Sequence, residues 1–173
     1  MGPSALRRPA SVLHDSPMFI RYFVEIPRPA AAVQAEVLDS PERWAASSAE
    51  GAETAGQTLM ADVGLGTKAH RLSRSVDLQF GEPIRFPSRA VLPMTWKASR
   101  LGGLFPQLDA DIEVAPLGPA RTQLAINGRY TVPLGSVGWA MDRVLLHRIA
   151  EATVKDFLDR AAQTLLNAVP PTE

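Results

Sequence analysis

Pro106-Gln-Leu-Asp-Ala-Asp-Ile-Glu-Val-Ala115 alternates strictly: Leu108, Ala110, Ile112 and Val114 are apolar, whereas Gln107, Asp109, Asp111 and Glu113 are polar. A period of two sends alternate side chains to opposite faces, so the segment reads as a strand with one dry face and one wet face. The flanking segments repeat the pattern. Arg89–Ala98 places Ala90, Leu92, Met94 and Trp96 on one face, and Arg121–Val132 does the same with Leu124, Ile126, Tyr130 and Val132. Upstream, Thr67–Phe80 sets His70, Leu72, Arg74, Val76, Leu78 and Phe80 against Arg71, Ser73, Ser75, Asp77 and Gln79. Sheets that are half dry and half wet are antiparallel meanders.

Outside this meander, Met18–Ile26 is rich in aromatic and β-branched residues and stops at Pro27, as a strand does. Pro29 opens an Ala-rich helix through Ala30–Leu38, and Asp39 or Ser40 caps a second helix with Pro41 near its first position and Trp44 on its buried side. Gly51–Gly56 reads as a linker, Gln57–Val63 as a short strand, and Gly81–Ser88, with Pro83 and Pro87, as a turn. The last element is a long helix over Ser136–Ala168, roughly 45 Å in length. Trp139, Leu146, Ala150, Val154, Phe157, Ala161 and Leu165 form its apolar stripe, and Pro170 and Pro171 stop it. Arg143 and His147, one turn apart beside the stripe, are assigned to its solvent flank. Residues 1–17 are expected to be a flexible arm, 18–168 a single domain and 169–173 a short tail. Strands segregated from helices define an α+β architecture of six or seven antiparallel strands. A curved meander does not close fully over a helix carrying residues as small as Ala150 and Ala161, so a cavity between the two is expected.

The composition excludes several function classes. The 173 residues carry 18 Lys+Arg and 18 Asp+Glu, a balance that argues against a nucleic-acid partner. With no cysteine, thiol catalysis, disulfides and Cys-based metal sites are absent. No apolar run approaches the ~20 residues of a membrane-spanning helix, and residues 1–17 hold Arg7 and Arg8 without the apolar stretch of a secretory leader. A cytoplasmic protein without integral membrane association is expected; its oligomeric state is left open. Acids concentrate in residues 36–62 and bases in 68–100, which reads as two solvated surfaces that face each other.

Two local patterns carry a family resemblance. One runs from Ile26-Pro27-Arg28-Pro29 to Val37-Leu38-Asp39-Ser40-Pro41-Glu42-Arg43-Trp44; the other is Gly128-Arg-Tyr-Thr-Val-Pro-Leu-Gly135 leading into Trp139–Ile149. With the element order, they make residues 18–167 resemble the START/Bet v 1-like (SRPBCC) superfamily, including bacterial polyketide cyclase/dehydrase-like and lipid-transport proteins. The resemblance implies a helix-grip fold: a curved antiparallel sheet wrapped around a long C-terminal helix, two short helices after the first strand, and an apolar pocket inside. No catalytic motif of the family transfers to this sequence, and fold alone does not assign a function.

Other motifs read as structure. Gly64-Leu-Gly-Thr-Lys-Ala69 matches a dinucleotide-binding pattern but leads into alternation rather than a helix, so it reads as a hairpin turn. His14, His70 and His147 never reach metal-ligand spacing. Asp109, Asp111 and Glu113 sit roughly 6.6 Å apart along one strand face, a solvated row and no metal site. More informative are the polar groups on the apolar parity: His70, Arg74, Tyr130 and the Trp96 indole N–H. A buried charge needs a partner, so Arg74 either lies at the rim, is returned to solvent by a bulge, or meets a protein acid, water or a ligand oxygen. The candidate ligand-binding residues are accordingly His70, Leu72, Arg74, Leu92, Met94, Trp96, Ile126, Tyr130, Leu146 and Ala150.

The expected function is cofactor-free binding of a hydrophobic or amphipathic small molecule such as a lipid, a polyketide-like ring or an isoprenoid. An alternative is a polyketide cyclase, aromatase or dehydratase in which His70 or Tyr130 moves protons. A third is an interaction module whose pocket is filled by its own side chains. The catalytic residues of such an enzyme are not assigned by the sequence.

Overall fold

Met18 pairs with Tyr130, Tyr130 with Leu108, Leu108 with Trp96, and Trp96 with Leu78, so one row of inward side chains crosses five antiparallel strands. The computed structural model describes residues 18–62, 76–98, 107–131 and 143–171, with backbone alone at 53, 56–62, 76, 98, 131 and 143–146. Its strands are β1 (Met18–Ile26), β2 (Val76–Phe80), β3 (Ile84–Phe86), β4 (Arg89–Ala98), β5 (Gln107–Gly118) and β6 (Arg121–Thr131). Its helices are α1 (Ala30–Asp39), α2 (Pro41–Asp62) and α3 (Arg143–Ala168). The strands form one sheet in the order β1-β6-β5-β4-β2, with β3 also pairing β4.

The parity read from the sequence is the parity of the sheet. Leu92, Met94, Leu108, Ile112, Leu124 and Ile126 are buried, while Asp77, Asp109 and Asp111 face solvent. The β5–β6 connection turns at Gly118, whose φ of +145° is open to glycine and strained for other residues.

The helices cover the inner face. Trp44 and Phe157, both fully buried, pack at 6.1 Å between ring centroids, and Phe157 meets Trp96 at 5.3 Å. Burying aromatic rings of this size removes a large apolar area from water. The Trp44 indole N–H donates to the Val37 carbonyl, which satisfies its polar atom and ties α2 to α1. At the far end of α3 the Arg28 guanidinium donates to the carbonyls of Val169 and Leu166, at 2.6 and 3.3 Å. These are the acceptors that a helix C-terminus leaves without intrahelical partners. Val169 is itself buried.

Two sequence expectations are corrected. The second of the two helices after β1 runs further along the chain: α2 continues through Gly51–Gly56 and on to Asp62, where a linker and the start of a strand were expected. Its small residues serve close packing. Ala45, Ala49 and Ala52 are fully buried, and a Cβ at Gly51 would come within 2.8 Å of Arg160 Nε on α3. Within the expected turn Gly81–Ser88, Ile84–Phe86 forms the short strand β3 against β4. Among the described residues the acidic and basic stretches meet through a solvent-exposed Asp39–Arg85 pair at 3.8 Å. No described helix is long and apolar enough to cross a membrane.

Candidate functional site

Tyr130 lies on the inner face near the end of β6, where alternation drives it into the core together with its register partners Leu108 and Met18. Across from it, His147 occupies the second turn of α3. The two rings stack at 15° with centroids 5.9 Å apart, and the Tyr130 hydroxyl lies 2.5 Å from His147 Nδ1. The opposite ring nitrogen, Nε2, is 3.1 Å from Glu151 Oε1, one helical turn further on. Met18 Sδ, a weaker acceptor than an imidazole nitrogen, lies 3.3 Å from the same hydroxyl.

A carboxylate only accepts, so Nε2 donates to Glu151; in the neutral imidazole Nδ1 then accepts from the Tyr130 O–H, whereas in the imidazolium Nδ1 donates to the Tyr130 oxygen. Solvent exposure rises along the chain: Tyr130 is 1% exposed, the His147 side chain 35% and the Glu151 side chain 55%. The arrangement can accept a proton at a buried hydroxyl and hold the resulting positive charge on an imidazole beside a carboxylate near water.

The expected solvent-flank position of His147 is therefore corrected: it faces β6. The i, i+4 spacing of His147 and Glu151 was visible in the sequence, but nothing along the helix marked a tyrosine from β6 as their partner. Of the residues singled out from the sequence, Leu92, Met94, Trp96, Ile126, Tyr130 and Ala150 are buried in one apolar cluster between sheet and helices. Leu146 belongs to α3, one residue before His147, but its side chain lies outside the described atoms. His70, Leu72 and Arg74, like the Gly64–Ala69 turn, lie outside the described residues. An open groove of about 940 Å³ crosses the opposite, outer face of the sheet, between Phe19 and Arg21 on β1 and Gln79 and Gly81 beyond β4. Asp109 and Asp111 line it, and Arg129 lies over the Phe19 ring at 4.9 Å.

No protein-family model and no curated protein matches the sequence. Similar solved structures include a conserved protein from Geobacillus kaustophilus, 15% identical, which covers 90% of this chain and 100% of its own at a TM-score of 0.50. The Zhui aromatase/cyclase from Streptomyces sp. R1128 is 12% identical over 87% of this chain and 94% of its own, with a TM-score of 0.43. Ara h 8.0201 is 7% identical over 88% and 99%, with a TM-score of 0.45. The element order, the sheet topology and the first of these likenesses define a helix-grip fold, an antiparallel sheet packed on a C-terminal helix. That likeness extends to the fold alone.

Proposed function

We propose that the protein binds a hydrophobic or amphipathic small molecule between the sheet and α3, with Tyr130 as the polar handle. The observation that carries this reading is the Tyr130–His147–Glu151 chain, whose buried end, Tyr130, belongs to the apolar cluster between sheet and helices. A buried polar group costs stability unless bonded, and an apolar pair at the same place would pack without that cost. Leu92, Met94, Trp96 and Ile126 supply the apolar wall on the sheet and Ala150 on the helix; Leu146, singled out by the sequence, is proposed to join them. His70, Leu72 and Arg74, singled out by the sequence, are proposed as further ligand contacts.

The chain also favours a second reading, an enzyme acting on a polyketide-like substrate, because a hydroxyl–imidazole–carboxylate series is equipped to move protons. Turnover of a polyketide surrogate, abolished in Tyr130→Phe, tests it.

The binding reading is tested by native mass spectrometry for a co-purified ligand and by uptake of an environment-sensitive apolar dye. Ala150, 6% exposed and three residues beyond His147, is the position to block. Ala150→Trp is expected to abolish dye uptake while the circular dichroism spectrum is retained; Ala150→Leu, a smaller intrusion, is expected to weaken it. A wild-type protein that takes up no dye and carries no ligand overturns the reading and favours a pocket filled by its own side chains.

A further inference from the structure

We infer that the outer face of the sheet is an interface between two copies of this chain, docked about a two-fold axis that runs along β6 over Asn127. The observation that carries it is a set of charges that do not pair within the chain. Across this face the ladders align Asp111, Asn127 and Arg21 in one row, and Asp109, Arg129 and Phe19 in the next. Acids thus stand on β5 and bases on β6 and β1, and all of them line the outer groove of about 940 Å³. Further along the same face acid and base pair within the chain, Arg89 with Glu113 at 3.7 Å and Arg121 with Glu25 at 3.5 Å. In the groove they do not. Among the described residues neither Arg21 nor Asp111 has an ion-pair partner, and Asp109 accepts from the uncharged side chains of Thr95 and Gln107. Arg129 stands directly opposite Asp109 in the β5–β6 ladder, yet its guanidinium lies over the Phe19 ring at 4.9 Å, toward β1.

A second copy supplies the missing partners. A two-fold interface is self-complementary, because what one surface offers the same surface of its partner receives. Asn127 stands one strand spacing, about 4.8 Å, from both Asp111 and Arg21. Rotation about β6 therefore brings Asp111 of each copy over Arg21 of the other. The same rotation brings Asp109 over Phe19 on β1, where the Arg129 guanidinium already lies. Asn127, on the axis, meets Asn127 of the second copy, and an amide both donates and accepts. The strands of the two sheets then run nearly parallel, as in the aligned class of sheet packing. Stacked sheets lie about 10 Å apart, a gap that an arginine and an aspartate together bridge. Phe19, 70% exposed, is covered in the process. A free anion or cation would satisfy only the bases or only the acids. Equal numbers of both, spaced evenly about β6, fit a copy of the same face. Exposed ion pairs contribute little singly and are screened by salt, so the dimer is expected to be reversible and salt-sensitive.

The test measures the mass of the full chain by sedimentation equilibrium over a concentration series in low-salt buffer. The expected result is a monomer–dimer equilibrium whose association weakens about tenfold or more between roughly 0.05 and 0.5 M salt. Arg21→Asp and Asp111→Arg, both at exposed positions outside the core, should each make the chain monomeric with an unchanged circular dichroism spectrum. Each of them turns its cross-copy contacts into contacts between like charges. Mixed in equal amounts, the two variants should associate again, because every altered side chain then faces a charge opposite to its own. Native mass spectrometry identifies that heterodimer by its mass. Asp109→Arg and Arg129→Asp repeat the exchange on the second row. A chain that is monomeric at every concentration overturns the inference, whether its groove stands open or is covered by another part of the chain or another protein. A dimer that survives both single variants overturns it too, since it would use a different face. Folded variants whose mixture stays monomeric on both rows also overturn it. None of these outcomes touches the proposal of a ligand between the sheet and α3.

Discussion

Gly128 lies so close to Ala110 across the β5–β6 ladder that a Cβ at position 128 would come within 2.9 Å of the Ala110 methyl. It would also stand 3.1 Å from the Asp109 carbonyl oxygen, which belongs to the backbone and has little room to move. Leu108 occupies the remaining space, its Cδ1 only 2.8 Å from that point. Gly128→Ala is therefore expected to destabilise the fold by roughly 1–3 kcal/mol, the usual cost of overpacking. The denaturant midpoint measures it, and an unchanged slope would show that the unfolded state is not responsible.

Phe157 is fully buried between Trp44 and Trp96. Phe157→Ala is expected to cost about 3–5 kcal/mol, through lost burial and the cavity left behind. Phe157→Leu should cost much less. Equilibrium unfolding of the two variants distinguishes a packed centre from one with room to collapse, because a loose centre would show little difference between them.

Arg28 supplies donors to the last carbonyls of α3, and its own carbonyl accepts from the Thr122 hydroxyl at 2.7 Å. Arg28→Met keeps the stem and removes the donors. A loss of about 1–2 kcal/mol is expected for a partly buried, charge-assisted cap. Amide exchange should accelerate in the last turn of α3 while the central turns keep their protection.

Lys155 is held above the ordinary lysine range first by its hydrogen bond to Asp159, then by its contact with Tyr22. A raised value means that the charged form is favoured on folding. The contribution is therefore complete below the lysine range and is lost as pH rises through the folded value. Because the ammonium is fully exposed, Lys155→Met should shift the thermal midpoint only slightly at neutral pH, and the two melting curves should converge in strongly alkaline solution.

Strand parity was legible because burial writes itself into every second residue of β4, β5 and β6. The continuation of α2 was not, because Gly51 and the neighbouring alanines have the composition of a linker; their purpose appears only when α3 with Arg160 lies against them. Pro83 and Pro87 bracket Ile84–Phe86 and so concealed β3, which among the described residues pairs with β4. At the site, Tyr130 could be placed by parity and Glu151 sits one turn from His147, yet their meeting depends on how α3 is rotated against β6. A helical stripe that includes both Ala150 and Leu146 fixes that rotation only to within about one residue, enough to turn His147 from solvent toward the tyrosine.

The first described strand, β1, finds its ladder partner only in β6, and Arg28 closes on Val169, 141 residues later. A ribosome adding about 5–20 residues per second needs roughly 5–20 s to travel the interval from Ile26 to Thr122. For that time the nascent chain carries Ile20, Phe19 and Phe23 on a strand with no neighbour to pair with. The grip is the last thing to form during synthesis, so slow translation or an early stop would release an adhesive strand rather than a smaller folded protein.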